Sequence, residues 1–378
     1  MTAQRTERTA AGAPNAGIAA IVIPALDPGR DLPAYCRALR AVTDAPILLV
    51  DDGSRPALAS VFDECAAVPG VAFVRHGANR GKGRALKTAF RRLLDERPDL
   101  AGCVTADADG QHTPADVRRC LDALAAAPGA LVLGCRTFTL GHVPWRSRFG
   151  NHFIRAFFRL ATGRRFQDTQ TGLRGIPAEF MGALLDVPGE RFDFETRMLL
   201  ALGDRPLAEL PIETVYEAGN PTSHFNPLRD SARILSIVAA AALRRLAAFL
   251  VASLASFALD LALASVLYRH VFREAEHARL ALSVGIARAV SLVFNYLANR
   301  RLVFAEGRDG VRRHAFGRFA FGRYLLLAVA LFGASYGLTK AAISLWPRVP
   351  METHKAVVDF LLFFASFVVQ RLFVFPRR

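Results

Sequence analysis

Hydrophobic patterning divides the chain into two regimes. Over the first 220 or so residues, short apolar runs alternate with longer stretches whose apolar positions recur every three or four residues. The short runs predict strands at 18–25, 46–51, 71–75, 102–106 and 130–135, and the amphipathic stretches predict helices at 32–41, 83–95 and 114–126. That alternation is the signature of an α/β domain with a largely parallel sheet. From residue 246 onward the pattern changes to four long apolar runs, 246–268, 280–298, 324–346 and 356–375. Each matches the ~20 residues that a helix rising 1.5 Å per residue needs to cross a ~30 Å hydrocarbon core. A buried bundle in a soluble protein is the alternative, and four spanning-length runs in succession argue against it.

Composition sharpens this picture at three points. The 378 residues carry a net charge of +15, which alone would suit a nucleic-acid binder, but no aromatic-interleaved basic patch accompanies it and the reading is no nucleic acid. Contact with anionic lipid and membrane topology explain the charge better. Residues 299–323 hold seven arginines against Glu306 and Asp309. By the positive-inside rule that loop is cytoplasmic, as are both termini, whereas 269–279 and 347–355 face the periplasm of a bacterial inner membrane. Residues 1–17 include Arg5 and Arg8 and lack a continuous apolar core, so they read as a loose tail rather than a secretory signal. Cys36, Cys65, Cys103, Cys120 and Cys135 form no C-x-x-C pair and read as reduced core thiols. The expected organisation is a tail at 1–17, an α/β domain at 18–226, an interfacial juxtamembrane helix at 227–245 bordered by arginines, and a four-helix transmembrane domain at 246–378.

Ligands of open α/β sheets collect at the carboxyl ends of the strands, and there the sequence turns polar. Asp51-Asp52-Gly53-Ser54 follows the second predicted strand and Asp107-Ala108-Asp109-Gly110-Gln111-His112 the fourth. One D-x-D alone reads as a solvated loop with a helix cap. Two acidic clusters at strand exits of one sheet would repel unless a cation neutralised them, and hard oxygen ligands suit Mg²⁺ or Mn²⁺ bridging a diphosphate. Arg136 and Arg174, the latter closing Gln167-Asp168-Thr169-Gln170-Thr171-Gly172-Leu173-Arg174, are candidate phosphate clamps through their planar forks of donors, or plain surface charges. Glu195 reads equally as a catalytic group or an ionic partner.

The ordered set IVIPAL, VDDGS, NRGKGRALKTAF, ADADGQH, GCR, DTQTGLRG, FDFE and TVYEAGNPTSHFNPLRDS resembles the inverting family-2 glycosyltransferases of GT-A fold, from about residue 18 to 233. Within them it is most like dolichyl-phosphate mannose synthase and the bacterial polyprenyl-phosphate sugar synthases. The remainder resembles GtrA-like four-span proteins, through Asn295-Tyr296-Leu297-Ala298-Asn299-Arg300-Arg301-Leu302-Val303-Phe304 at the end of span two. A weaker echo, Gln370-Arg371-Leu372-Phe373-Val374-Phe375, closes span four and hints at a duplicated two-helix unit. The resemblance implies transfer of a sugar from a nucleotide sugar, UDP-hexose by the bacterial relatives, to a polyprenyl phosphate. It places Pro24, Asp27, Val50, Asp52 and Ala108 at the nucleotide sugar, and Asp107, Asp109, Arg136, Arg174 and Glu195 in the catalytic set. It makes Asp109 and Gln111 the metal pair. Arg174, Ser223 and His224 fall at the lipid phosphate. Leu26, Asp27 and Pro28 stand where the family has tyrosine, asparagine and glutamate, which alters the contact with the base. His224 replaces an expected lysine and would titrate near neutral pH.

Four ionisable residues sit inside the apolar runs: Asp260, Arg288, Lys340 and Asp359. Such groups cost about 2.5–3.5 kcal/mol each at the helix centre on insertion scales and therefore face a partner or a polar path. Asp260 with Arg288 and Lys340 with Asp359 are the expected pairs, serving either a route for the sugar-phosphate headgroup or helix packing. Two rivals remain: a processive polysaccharide synthase, disfavoured because no Q-x-x-R-W motif is present, and a lipid-linked sugar translocase with a non-catalytic glycosyltransferase-like domain. A homo-oligomer is an open alternative.

Overall fold

A computed structural model describes residues 18–136, 155–213, 227–272, 279–304 and 319–376. Two compact units emerge, one of Met1–His142 with Gln167–Asp230 and the other of Val143–Phe166 with Ser231–Arg378.

The first unit is built on one sheet of seven strands: β1 (Ala19–Ala25), β2 (Ile47–Asp51), β3 (Val71–Arg75), β4 (Gly102–Thr105), β5 (Leu131–Arg136), β6 (Arg174–Pro177) and β7 (Leu207–Ile212). They lie in the order β3-β2-β1-β4-β6-β5-β7. Neighbours run parallel except β6, which is antiparallel to both β4 and β5. The five predicted strands are all present. The two unpredicted ones have physical reasons to be inconspicuous: β6 is four residues of Arg-Gly-Ile-Pro, and β7 is a half-exposed edge strand carrying Pro211.

Helices α1 (Leu32–Val42), α2 (Ala59–Ala66), α3 (Lys82–Glu96) and α4 (Pro114–Ala126) connect the first five strands. In α1 the buried Leu32, Tyr35, Cys36 and Leu39 recur at the spacing of one helix face, and Val117, Cys120, Leu121 and Leu124 do the same in α4. Both stripes join Ile21, Ile23, Leu49, Val104 and Val132 in one core. Helix α4 starts where the Thr113 hydroxyl accepts the Asp116 N–H, with Pro114 in the first turn where no N–H is needed. All five cysteines are buried free thiols, and burial pushes the Cys135 thiol up to about 12.

Helix α5 (residues 155–162) belongs to the second unit, whereas α6 (Ala178–Leu185) and α7 (Asp193–Leu200) belong to the first. The second unit continues with α8 (Pro227–Val266) from Ser231 onward, α9 (Arg279–Ala298), α10 (Ala320–Leu345) and α11 (Met351–Val369). Four apolar segments of spanning length run through these helices, Arg229–Val271, Leu282–Val303, Ala320–Leu345 and Thr353–Val374. Large side chains such as Phe257, Leu326 and Phe332 stand 64%, 63% and 80% exposed along them, as lipid-facing surfaces do. Residues 227–245, expected as a juxtamembrane helix, run without interruption into span one. After Pro227, α8 is a single helix of 40 residues with neither glycine nor proline and a high alanine content, so nothing in it stops the helix. At 1.5 Å per residue it is about 60 Å long, twice the hydrocarbon thickness.

The echo between the ends of spans two and four becomes a repeated geometry. Each end widens into a five-residue π-helical turn, Asn299–Val303 and Gln370–Val374, closed by Phe304 N–H to Asn299 O at 2.9 Å and Phe375 N–H to Gln370 O at 2.8 Å. Asn299 Nδ2 donates to Asn295 Oδ1 one turn back, and Gln370 Nε2 donates to Ser366 Oγ in the same way. The ring pairs also exchange: Tyr296 meets Phe375 at 5.8 Å and Phe367 meets Phe304 at 6.0 Å. On the axis, Phe304 stacks on Phe375 at 5.2 Å, and Asn299 Nδ2 donates to Gln370 Oε1 at 3.1 Å. Two copies of one motif therefore pack against each other by a local two-fold relation.

That buried amide bond should be worth about 1 kcal/mol. Asn299→Leu and Gln370→Leu are each expected to lower the melting temperature in detergent, with the double variant costing less than the sum of the two.

Candidate functional site

The site grows from the ends of β1, β2 and β4, where the strand order changes direction, the position at which open α/β sheets bind ligands. At the end of β2, Asp51 accepts the Ser54 N–H at 2.8 Å and an N–H of the Arg75 guanidinium at 2.7 Å. The buried Asp52 carboxylate accepts the Arg80 N–H at 3.0 Å, the Gly81 N–H at 2.6 Å and a contact from His76 Nδ1 at 2.8 Å. A Cβ on Gly53, at φ +82°, would sit 2.3 Å from the Ala78 carbonyl carbon. Loop 51–54 thus clasps the segment that delivers Lys82 at the start of α3.

Lys82 Nζ lies 2.6 Å from Asp107 Oδ1 and 3.0 Å from Glu195 Oε1. His112 Nε2 approaches the other oxygen, Asp107 Oδ2, at 3.3 Å. Burial by itself would lower the Lys82 ammonium and raise the Asp107 carboxyl. The charges overrule it: Asp107 and Glu195 hold Lys82 above the usual lysine range, and Lys82 with His112 holds Asp107 well below the usual carboxylate range. Gly172 closes the cage, because a Cβ there would lie 2.2 Å from Asp107 Oδ2. Lys82 stands in the NRGKGRALKTAF motif, yet the motif alone gives no hint that its ammonium meets two carboxylates.

Of the residues expected at the nucleotide sugar, Pro24, Asp52 and Ala108 line a cavity together with Asp107 and Asp109. Val50 is wholly buried beneath it. Asp27 takes φ +45° and its carboxylate accepts the Arg55 N–H at 2.9 Å, away from the cavity wall. Leu26 and Pro28, which flank Asp27, line it as well, as do Ala25 and Gly81, and Asn79, Lys82, Arg191 and Phe192 join them without having been anticipated. Gln111 donates its backbone N–H to Asp109 Oδ1 at 3.2 Å, which folds the expected metal pair into one turn. No group of three His, Cys, Asp or Glu side chains gathers as a metal cage among the described residues. Mg²⁺ does not require one, since it is commonly held by one or two carboxylates, substrate phosphates and water, and the donor set at Asp109 fits that habit.

The two expected phosphate clamps sit differently from the expectation. Arg136, at the end of β5, grips Asp168 with Nε at 2.6 Å and Nη2 at 3.0 Å. Arg174, the first residue of β6, is 1% exposed and donates to the carbonyl oxygens of Thr171 at 2.9 Å and Glu195 at 2.8 Å. Burial pulls its pKa down. Its pairing to β4 and β5 draws the guanidinium into the core, a placement that a strand too short to predict could not reveal. Ser223 and His224 lie outside the described residues.

In the second unit Asp260 and Arg288 pair as expected at 3.2 Å, with Ser291 Oγ donating to Asp260 at 3.0 Å. The Lys340 to Asp359 pair is not made. Asp359 instead takes Lys355 Nζ at 2.6 Å, one helical turn earlier on its own helix, and the Ser335 hydroxyl at 2.6 Å. A partner four residues away on one helix face needs no interhelical alignment, which is why it prevails over a cation on α10.

Arg136 and the N–H groups around it hold the Asp168 carboxyl below its ordinary range against the opposing effect of burial. A depressed folded pKa contributes stability that is complete above the unfolded value of about 3.9 and is lost as pH falls through the folded value. The melting temperature of Asp168→Asn should therefore trail the wild type by a constant margin from pH 6 to 8, and the margin should narrow only below about pH 4.

Residues 20–182 match the model of glycosyl transferase family 2, and residues 271–375 match that of the GtrA/DPMS transmembrane domain. The polyprenol monophosphomannose synthase of Mycolicibacterium smegmatis is 31% identical over 167 residues, 43% of this chain and 62% of that protein. The undecaprenyl-phosphate mannosyltransferase of Micrococcus luteus is 28% identical over 203 residues, 51% of this chain and 82% of that protein. A UDP-N-acetylglucosamine–dolichyl-phosphate N-acetylglucosaminyltransferase of Methanococcus voltae is 24% identical over 215 residues, covering 52% and 85%. With its sheet, its acidic cavity and its four apolar helices, the chain joins a family 2 glycosyltransferase domain of GT-A-like α/β fold to a GtrA/DPMS transmembrane domain, and it is a membrane glycosyltransferase.

Proposed function

We propose that this chain transfers a hexose from a uridine diphosphate donor to a polyprenyl phosphate, undecaprenyl phosphate, with inversion at the anomeric carbon, at the cytoplasmic face of a bacterial inner membrane. The observation that carries the reading is the cavity at the ends of β1, β2 and β4, with Asp107, Asp109 and Lys82 in its wall, on a chain that also has four spanning-length helices. The names of the M. luteus, M. smegmatis and M. voltae relatives, all prenyl-phosphate sugar transferases, support the acceptor class.

A phosphate monoester is already anionic at neutral pH, so the acceptor needs alignment and charge relief more than a strong general base. Glu195 fits that economy: its carboxylate holds Lys82, and its carbonyl is held by Arg174, so it acts as a positioning group. Asp109 and Gln111 are the residues that would hold Mg²⁺ or Mn²⁺, which when bound relieves the charge on the departing nucleoside diphosphate. Arg136 and Asp168 brace the end of β5, and Ser223 and His224 are the residues proposed to meet the lipid phosphate. Residues 18–226 form the catalytic domain in this reading and 246–378 the anchor. A cavity wall furnished with paired carboxylates and a lysine favours catalysis over a translocase with an idle first domain.

In a transfer assay with purified protein, undecaprenyl phosphate, Mg²⁺ and a panel of labelled nucleotide sugars, label should enter the organic phase for one uridine donor, and Asp109→Ala should lower the rate at least about 100-fold. Transfer by Asp109→Ala at the wild-type rate, or no transfer from any donor, overturns the proposal.

A further inference from the structure

The phosphate grip expected of Arg136 and Arg174 has no place in the cavity wall: one guanidinium is committed to Asp168 and the other is buried on two carbonyl oxygens. Among the described residues two cations do line the cavity, Lys82 and the exposed Arg191. An ammonium carries three N–H donors. Asp107 takes one at 2.6 Å and Glu195 another at 3.0 Å, with no further acceptor among the described residues. We propose that the third meets an oxygen of the donor's diphosphate, which makes Lys82 the cation that binds the charged group of the nucleotide sugar.

This assignment rests on the cavity being the donor site. Further features of the fold support it. Lys82 is the first residue of α3, a helix of 15 residues, so its charge adds to the positive end of the helix dipole. The approach is fixed by glycines: Gly81 takes φ +100°, a Cβ there would lie 2.3 Å from the Glu190 carbonyl, and one on Gly83 would lie 2.5 Å from Phe194 Cβ. Bracketing by two carboxylates also holds a flexible side chain in one place before the ligand arrives, so little ordering entropy is left to lose on binding. The cavity needs such a cation, because Asp52, Asp107 and Asp109 in its wall would otherwise repel a diphosphate.

The test is equilibrium dialysis of the full-length protein in detergent with Mg²⁺ against UDP, UMP, GDP and GMP, for wild type, Lys82→Met and Lys82→Arg, with sugar transfer measured on the same preparations. The wild type should prefer one diphosphate to its monophosphate. Lys82→Met should lose about tenfold or more of the diphosphate affinity while the monophosphate changes less than about twofold, and Lys82→Arg should regain part of the loss. If Lys82→Met melts far below the wild type, the double variant with Glu195→Gln is measured instead, since it removes the carboxylate left facing Asp107. Equal weakening of both nucleotides, or no weakening of either, overturns the Lys82 assignment while transfer by the wild type keeps the donor-site reading intact. Wild type that binds diphosphate but transfers no sugar sinks the enzyme reading alone, and the affinity ratio still decides Lys82. Wild type that binds no nucleotide overturns both.

Discussion

Lys82 sits where four separate stretches of the first unit converge. Its helix is delivered by Asp52, its ammonium joins Asp107 after β4 to Glu195 in α7, and Asp107 in turn leaves room for nothing larger than glycine at 172. Arg174, by gripping the Glu195 carbonyl, links the same node to β6. A lysine and carboxylates partly withdrawn from water are costly apart and tolerable together, because each loses part of its hydration and recovers the energy from its partners. The arrangement is consequently all or nothing: removing one member strands the others. The shape of the cavity follows from it, since the segments that form the wall are the ones this node ties.

The parts of the first unit visible in the sequence were those governed by local periodicity. The stripes Leu32, Tyr35, Cys36, Leu39 and Val117, Cys120, Leu121, Leu124 declare their helices unaided, and the buried runs of β1 and β2 declare strands. Acidic residues at strand exits were equally legible, because their position after an apolar run is a property of the sequence. What could not be read was partnership across the chain. Arg174 resembles a surface clamp until β6 is known to pair with β4 and β5, and Lys82 looks like one of several cations in a basic helix until Asp107 and Glu195, 25 and 113 positions away, are brought to it.

The second unit repeats that division. Spanning length and hydropathy marked all four membrane segments, although the first helix begins well before the expected start at 246, whereas the pairing of charges inside them was settled by geometry. Asp260 found Arg288 on the neighbouring helix, while Asp359 preferred Lys355 on its own. The continuity of α8 from Pro227 to Val266 was readable in principle from the absence of any helix breaker, and was masked by the arginines that seemed to mark a boundary.

The exchange of contacts between the ends of spans two and four carries a consequence for assembly. A surface whose asparagine-type amide and phenylalanine each meet their own counterpart is self-complementary, the defining property of an isologous interface. Two separate helix pairs bearing it would associate as a homodimer whose population depends on dilution. Here both halves share one polypeptide, so the encounter is intramolecular, and the association becomes insensitive to how much protein the membrane holds.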